Sequence, residues 1–244
     1  MTEAEAVEIQ TALAPRVRAV GGPGRVNLVA GAVARAAGDC VRAAVVVLSL
    51  PELAEVESVI ASAPPDMPYR PGFRAFHDGP ALLAAIRALD AMPDVILFRG
   101  HGIAHPRGIG LASHLGVVLD LPTIGCAESP LVGECDEPGP ERGDWSPIRH
   151  SEPHSARRGI WIAGDSWPSS LRSRCCFGGV GWAHNDKSAI IGAAVRTRTG
   201  CRPLLVSPGH RTGIDRAVEV VLACSRFRWP EPLRAARARL KATP

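Results

Sequence analysis

Two long apolar runs, residues 26–36 and 41–50, are joined by Ala37-Gly38-Asp39, and this pattern constrains the chain most. Apolar runs on either side of a short glycine-containing turn read as a β-hairpin. Residues 53–61 add a third antiparallel strand. Asp78-Gly79-Pro80 then starts a helix with Leu82, Leu83, Ile86 and Leu89 on one face, and Asp94-Val95-Ile96-Leu97-Phe98 is a short buried strand. A helix over residues 111–119, a strand over 122–127, strands over 189–197 and 202–207 and a helix over 214–226 complete the reading. Three strands followed by helix, strand, helix and strand describe a mixed α/β sheet with helices on its faces. Ahead of it, Thr2-x-x-Glu5 has the form of a capping box for a first helix that Pro15 ends or kinks.

Residues 149–186 break the pattern. They are rich in Pro, Gly, Ser and Arg and hold the pair Cys175-Cys176, with no clear periodicity. Trp161, Trp167 and Trp182 argue for partial packing there, because disordered segments are poor in aromatics. We therefore expect one domain over residues 1–244, interrupted by an irregular insertion at 149–186.

Composition sets outer bounds. Apolar residues make up 46% of the chain and charged residues 21%, ordinary globular values that exclude wholesale disorder. The net charge of +4 permits an anionic partner without requiring one. Of 28 basic residues only Lys187 and Lys241 are lysines. A GC-rich genome accounts for most of that bias, yet single arginines can fork onto phosphate or carboxylate as lysine cannot. The acidic N-terminus has no basic patch followed by an apolar run, and no stretch approaches a membrane span, so neither a signal peptide nor a membrane location is expected. Seven cysteines without a CxxC pair suit reduced thiols and a cytoplasmic protein.

Four stretches carry a more specific signal. They are Pro68-Tyr69-Arg70-Pro71-Gly72-Phe73-Arg74-Ala75-Phe76, then Gly100-His101-Gly102-Ile103-Ala104-His105-Pro106-Arg107, then Gly110-Leu111-Ala112-Ser113-His114-Leu115-Gly116 with Leu121-Pro122-Thr123-Ile124-Gly125, and Val206-Ser207-Pro208-Gly209-His210-Arg211. In this order they resemble endonuclease V, the family that nicks nucleic acid near deaminated bases such as inosine. The resemblance implies a ribonuclease H-like fold, a mixed β-sheet flanked by helices, and Mg²⁺ held by carboxylates at strand ends.

The chain departs from the family at those carboxylates. Val33 stands two residues after Val29-Ala30-Gly31, where the resemblance places the first aspartate. The second acid is Asp78 in Phe76-His77-Asp78, and the third position is Arg99. Glu128 replaces the family's lysine, while His210 is retained. Three carboxylates would bring about −3 to a divalent cation, whereas Val33, Asp78 and Arg99 bring none. An arginine ~4 Å from the ion would add several kcal/mol of repulsion at an intermediate dielectric. We expect no bound metal and no other cofactor.

Two functions follow from different classes. In one, the chain is a repurposed metal-independent enzyme acting on a phosphate, sulfate or carboxylate, with secondary metabolism as one setting. There Arg99 holds the anion, His210 or Asp78 moves protons, and His77 and Glu128 lie alongside. In the other, the chain is an inactive or weakly active binder of deaminated DNA or RNA, or a residual repair nuclease. Tyr69 matches the family's wedge beside the damaged base, and Arg70, His101, His105 and Arg107 complete the candidate binding set. His101 and His105 also read as structural hydrogen-bonding groups. The missing carboxylates leave room for a homo- or hetero-oligomer with a related subunit.

Overall fold

In the computed structural model, residues 1–150 and 190–242 are described in full, and residues 176–177 and 180–181 by their backbone. β1 (Leu28–Ala37) and β2 (Cys40–Ser49) pair antiparallel with Ala37 opposite Cys40, so the turn is the two residues Gly38-Asp39, with Gly38 at φ +60°. Such a turn requires positive φ, which glycine supplies without a Cβ penalty. β3 (Glu55–Ala63) pairs antiparallel with β2 and forms one edge. α1 (Glu3–Leu13) precedes the hairpin, and its Thr2/Glu5 capping box is formed in both directions. Pro15 then lies in a 3-10 turn, Ala14–Arg16.

Past the hairpin the order is α2 (Arg74–Arg87), β4 (Val95–Arg99), α3 (Leu111–Leu119), β5 (Thr123–Ala127) and β6 (Trp145–Arg149). A two-residue pair follows, β7 (Cys176–Phe177) and β8 (Val180–Gly181), then β9 (Ile190–Val195), β10 (Leu204–Pro208), α4 (Ile214–Ala223) and α5 (Glu231–Ala242). The large sheet has eight strands in the order β3-β2-β1-β4-β5-β10-β9-β6. β4 runs parallel to β1 and to β5, while β10, β9 and β6 join antiparallel. This is the expected α/β architecture, a mixed sheet with helices on both faces.

Alternation along the strands divides the core. Val29 and Val33 of β1 join Leu97, Ile124 and Cys126 beneath α4 and α5, whereas Ala30 and Ala32 join Ile96 and Phe98 beneath α2 and α3. Gly31 is needed where α5 lands on β1, since a Cβ there would lie 2.1 Å from the Pro232 carbonyl carbon. Among the described residues, no helix is long and apolar enough to cross a membrane.

Three boundaries differ from expectation. α2 begins at Arg74 rather than at Asp78-Gly79-Pro80, and Pro80 sits inside it. Pro80 has no N–H to give the Phe76 carbonyl, and the backbone N–H of Asp66 takes that place at 3.0 Å, so the helix continues through the proline. α4 stops at Ala223, short of Arg226. β6 was not foreseen; it carries Pro147 and lies at the free edge of the sheet, where a missing donor is tolerated. Arg149 therefore closes a strand instead of opening the insertion. The reading of the rest of that insertion, including its three tryptophans and Cys175, lies outside the described residues.

Candidate functional site

The parallel register of β1 and β4 pairs Ala32 with Phe98, so the next residues are Val33, midway along β1, and Arg99, the last residue of β4. β5 brings Cys126 opposite Arg99 and carries the chain on to Glu128. Val33 is buried in the core beneath α4 and α5 and offers no donor atom. The Arg99 side chain is one-third exposed (34%) and its guanidinium lies over the Trp229 ring, 5.5 Å from the centroid. Glu128 is 4.0 Å from an Arg99 nitrogen, and it also accepts from Trp229 Nε1 at 3.2 Å and lies 3.9 Å from Arg228. Burial pushes the Arg99 pKa below its ordinary value; Arg237 and Arg74 push the same way and Glu128 opposes them.

The early start of α2 places Arg74 and Asp78 one helical turn apart. Asp78 is buried, and both its oxygens are engaged: Arg74 Nε donates to one at 2.6 Å and His77 Nδ1 meets the other at 2.7 Å. On the other side of His77, the Tyr69 ring stands edge-on at 5.6 Å and is 61% exposed. Tyr69 thus projects from its loop beside the first turn of α2. Arg70, in the same loop, is exposed and pairs with Glu3 of α1.

Two predicted binding residues face inward. His105 Nε2 donates to the Gly72 carbonyl at 2.9 Å, and its Nδ1 accepts from the Arg107 backbone N–H at 3.2 Å. Both ring nitrogens are used by the neutral imidazole, and burial holds its pKa down to about 3. Arg107 gives Nη2 to the same Gly72 carbonyl at 3.0 Å and Nε to Gln10, while its guanidinium lies over Phe73 at 4.5 Å. Gln10, a buried polar side chain of α1, adds a third donor to Gly72 at 3.0 Å. Gly72 has φ +82°, and these three donors fix the end of the Tyr69 loop. His101 is partly buried and donates Nε2 to the Ser129 carbonyl at 2.9 Å. Burial is the main reason its pKa is lowered, with Arg74 adding to it.

His210 does not join Arg99, contrary to the sequence expectation. Its backbone N–H donates to Thr123 Oγ1 at 2.8 Å, at the start of β5, whereas Arg99 pairs with Cys126 near that strand's end. Three residues of strand separate the two by ~10 Å, on opposite faces of the sheet. His210 is buried; its Nε2 donates to Asp120 at 3.2 Å and its Nδ1 accepts from the Arg18 N–H at 3.3 Å. Burial lowers its pKa despite the Asp120 carboxylate. His77, Asp78 and Tyr69 thus form one group on α2 and the loop before it. Arg99 and Glu128 form a second with Trp229, Arg74 lies within electrostatic reach of Arg99, and His210 belongs to neither group. Arg74, Trp229 and Arg237 were not singled out as site residues. An Arg74-to-Asp78 spacing of four would have flagged Arg74 had the helix start been placed correctly.

Mg²⁺ favours several hard oxygen ligands. Here β1 and β4 supply an alkyl group and a guanidinium, and α2 supplies one carboxylate already occupied by Arg74 and His77, a donor set that does not fit the ion. Among the described residues, no group of three or more His, Cys, Asp or Glu side chains could hold a metal.

The profile of one protein family, endonuclease V, matches residues 8–162 and 179–238 of the chain. The endonuclease V of Roseiflexus sp. (strain RS-1) is 39% identical over 236 residues, covering 96% of this chain and 90% of that protein. The crystal structure of endonuclease V from Streptomyces avermitilis superposes with a TM-score of 0.78 at 34% identity, covering 100% of this chain and 95% of the other. Endonuclease V of Ciona intestinalis, crystallised with a 24mer DNA containing an inosine followed by a ribo-adenosine, gives 0.69 at 25% identity, with coverage of 98% and 97%.

Proposed function

Since the chain belongs to the endonuclease V family, we propose that it binds nucleic acid carrying a deaminated base such as inosine and does not nick it through a divalent cation. The observation that carries this reading is the state of Asp78, the one family carboxylate retained. It is buried and saturated by Arg74 and His77, while Val33 and Arg99 offer no carboxylate. No step of a reaction is assigned to Mg²⁺ here, because the donors do not fit it. Tyr69 supplies an exposed aromatic wedge on a loop fixed at Gly72, and the neighbouring arginines face phosphate. The metal-independent enzyme has less support, because of its two candidate proton carriers His210 lies at the opposite end of β5 from Arg99 and Asp78 is engaged by Arg74 and His77.

The test uses labelled oligonucleotides with and without inosine. The chain retards both at low salt, prefers inosine, and leaves both intact in Mg²⁺ or Mn²⁺. Cation-dependent nicking that disappears in Asp78→Ala would refute the reading, as would absence of binding at low salt.

A further inference from the structure

We infer that Arg99 and Arg237 together form an oxyanion site that grips one phosphate group at the C-terminal end of β4, where α5 packs on the sheet. The inference rests on the nucleic-acid reading above and narrows it to a single phosphate and two side chains. Glu128 is the carboxylate nearest Arg99, but at 4.0 Å it is beyond hydrogen-bond distance, and it is shared with Trp229 and with Arg228. The guanidinium donors of Arg99 therefore remain open on its exposed side, while the Trp229 ring lies against the group, its centroid 5.5 Å away. α5 packs on β1 and β4, and Arg237 projects from it, exposed and without an ion-pair partner among the described residues. The charges felt at Arg99 are two cations, Arg237 and Arg74, and one anion, Glu128. Val33 contributes no compensating charge. Cations that repel each other across a site are relieved by an anion bound between them.

The shape of the site favours phosphate over carboxylate. One guanidinium fork saturates a planar carboxylate, whereas forks from two elements, β4 and α5, can reach different oxygens of a tetrahedral group. Arg74 is committed to Asp78 and supplies field, not hydrogen bonds, to the ligand. The result is a cation-free counterpart of a phosphate-binding metal centre, built from this chain's own substitutions.

Binding of a labelled single-stranded oligonucleotide carrying inosine is measured across a salt series. One neutralised phosphate contributes about 0.7 to the magnitude of the slope of log K against log salt for single strands. The double variant Arg99→Gln/Arg237→Gln lowers the wild-type slope by about that amount, and Arg87→Gln, at the far end of α2, leaves it unchanged. A double-variant slope equal to wild type overturns the inference. A fall of about 1.4 or more also overturns it, because two separate phosphates would then be held. If the wild type binds no oligonucleotide, the nucleic-acid reading fails and the site is judged on inorganic phosphate. At ionic strength matched with sodium chloride, phosphate then raises the Tm of the wild type above its effect on the double variant; an equal rise in both overturns the site itself.

Discussion

Acidification from pH 7 to pH 5 should cost this fold about 4 kcal/mol through two imidazoles, His105 and His114. Burial holds His105 down to about 3 and His114 to about 4. In the unfolded chain a histidine titrates near 6.5. Below that pH the unfolded chain takes up protons that the folded chain refuses, so stability is full above about 6.5 and falls until the folded pKa is reached. At pH 5 each group sits about 1.5 units below its unfolded value, or about 2 kcal/mol each, a large share of the 5–15 kcal/mol that typically holds a domain. Burial also lowers His101 and His210, which act in the same direction. The two dominant residues are separable. His105 satisfies Gly72 and Arg107, whereas His114 Nδ1 is buried with no hydrogen-bond partner among the described residues and its ring meets Phe76 edge-on at 5.1 Å. His114→Leu therefore removes a titrating group with little loss at pH 7. Urea unfolding followed by tryptophan fluorescence at both pH values should show the variant losing about 2 kcal/mol less than wild type on acidification. An identical loss in the two proteins would refute the assignment of this pH dependence to His114.

Two further substitutions test the supports of the site. Gly31→Ala would drive a methyl group to within 2.1 Å of the Pro232 carbonyl carbon, so α5 must shift; we expect a loss of about 3 kcal/mol or more, seen as a lowered Tm. Gln10→Ala removes a donor to Gly72 and leaves Arg107 Nε without its acceptor in a buried setting, at a cost of about 2 kcal/mol in urea unfolding.

The strands and the motifs were legible because local pattern dictates them. The β1–β2 turn falls on the expected Gly38, and the apolar face of α2 is the one expected, with Leu82 and Ile86 fully buried. Local signals misled where a distant group satisfied a local deficit. Asp78-Gly79-Pro80 has the composition of a helix start, yet the Asp66 N–H fills the place that Pro80 leaves empty at Phe76. β6 lacked a readable pattern because Pro147 sits in its middle, which only an edge position allows. Arg107 read as a candidate binding residue, but packing against α1 turned it toward Gly72, where His105 takes the structural hydrogen-bonding role that was its other reading.

Family membership was thus written in the residues themselves, since identity at a position requires no knowledge of its neighbours. Which residues share a site required the tertiary structure. β10 runs antiparallel to β5, so the turn after it emerges at the start of β5 and carries His210 away from Arg99. A sequence shows that a strand is followed by a histidine, but not which way that strand runs in the sheet. Likewise, only the packing of α5 across β1 and β4 brings Arg237 within electrostatic reach of Arg99. Strand direction and helix docking are set by burying two faces of one sheet at once, a condition that no local stretch of residues contains.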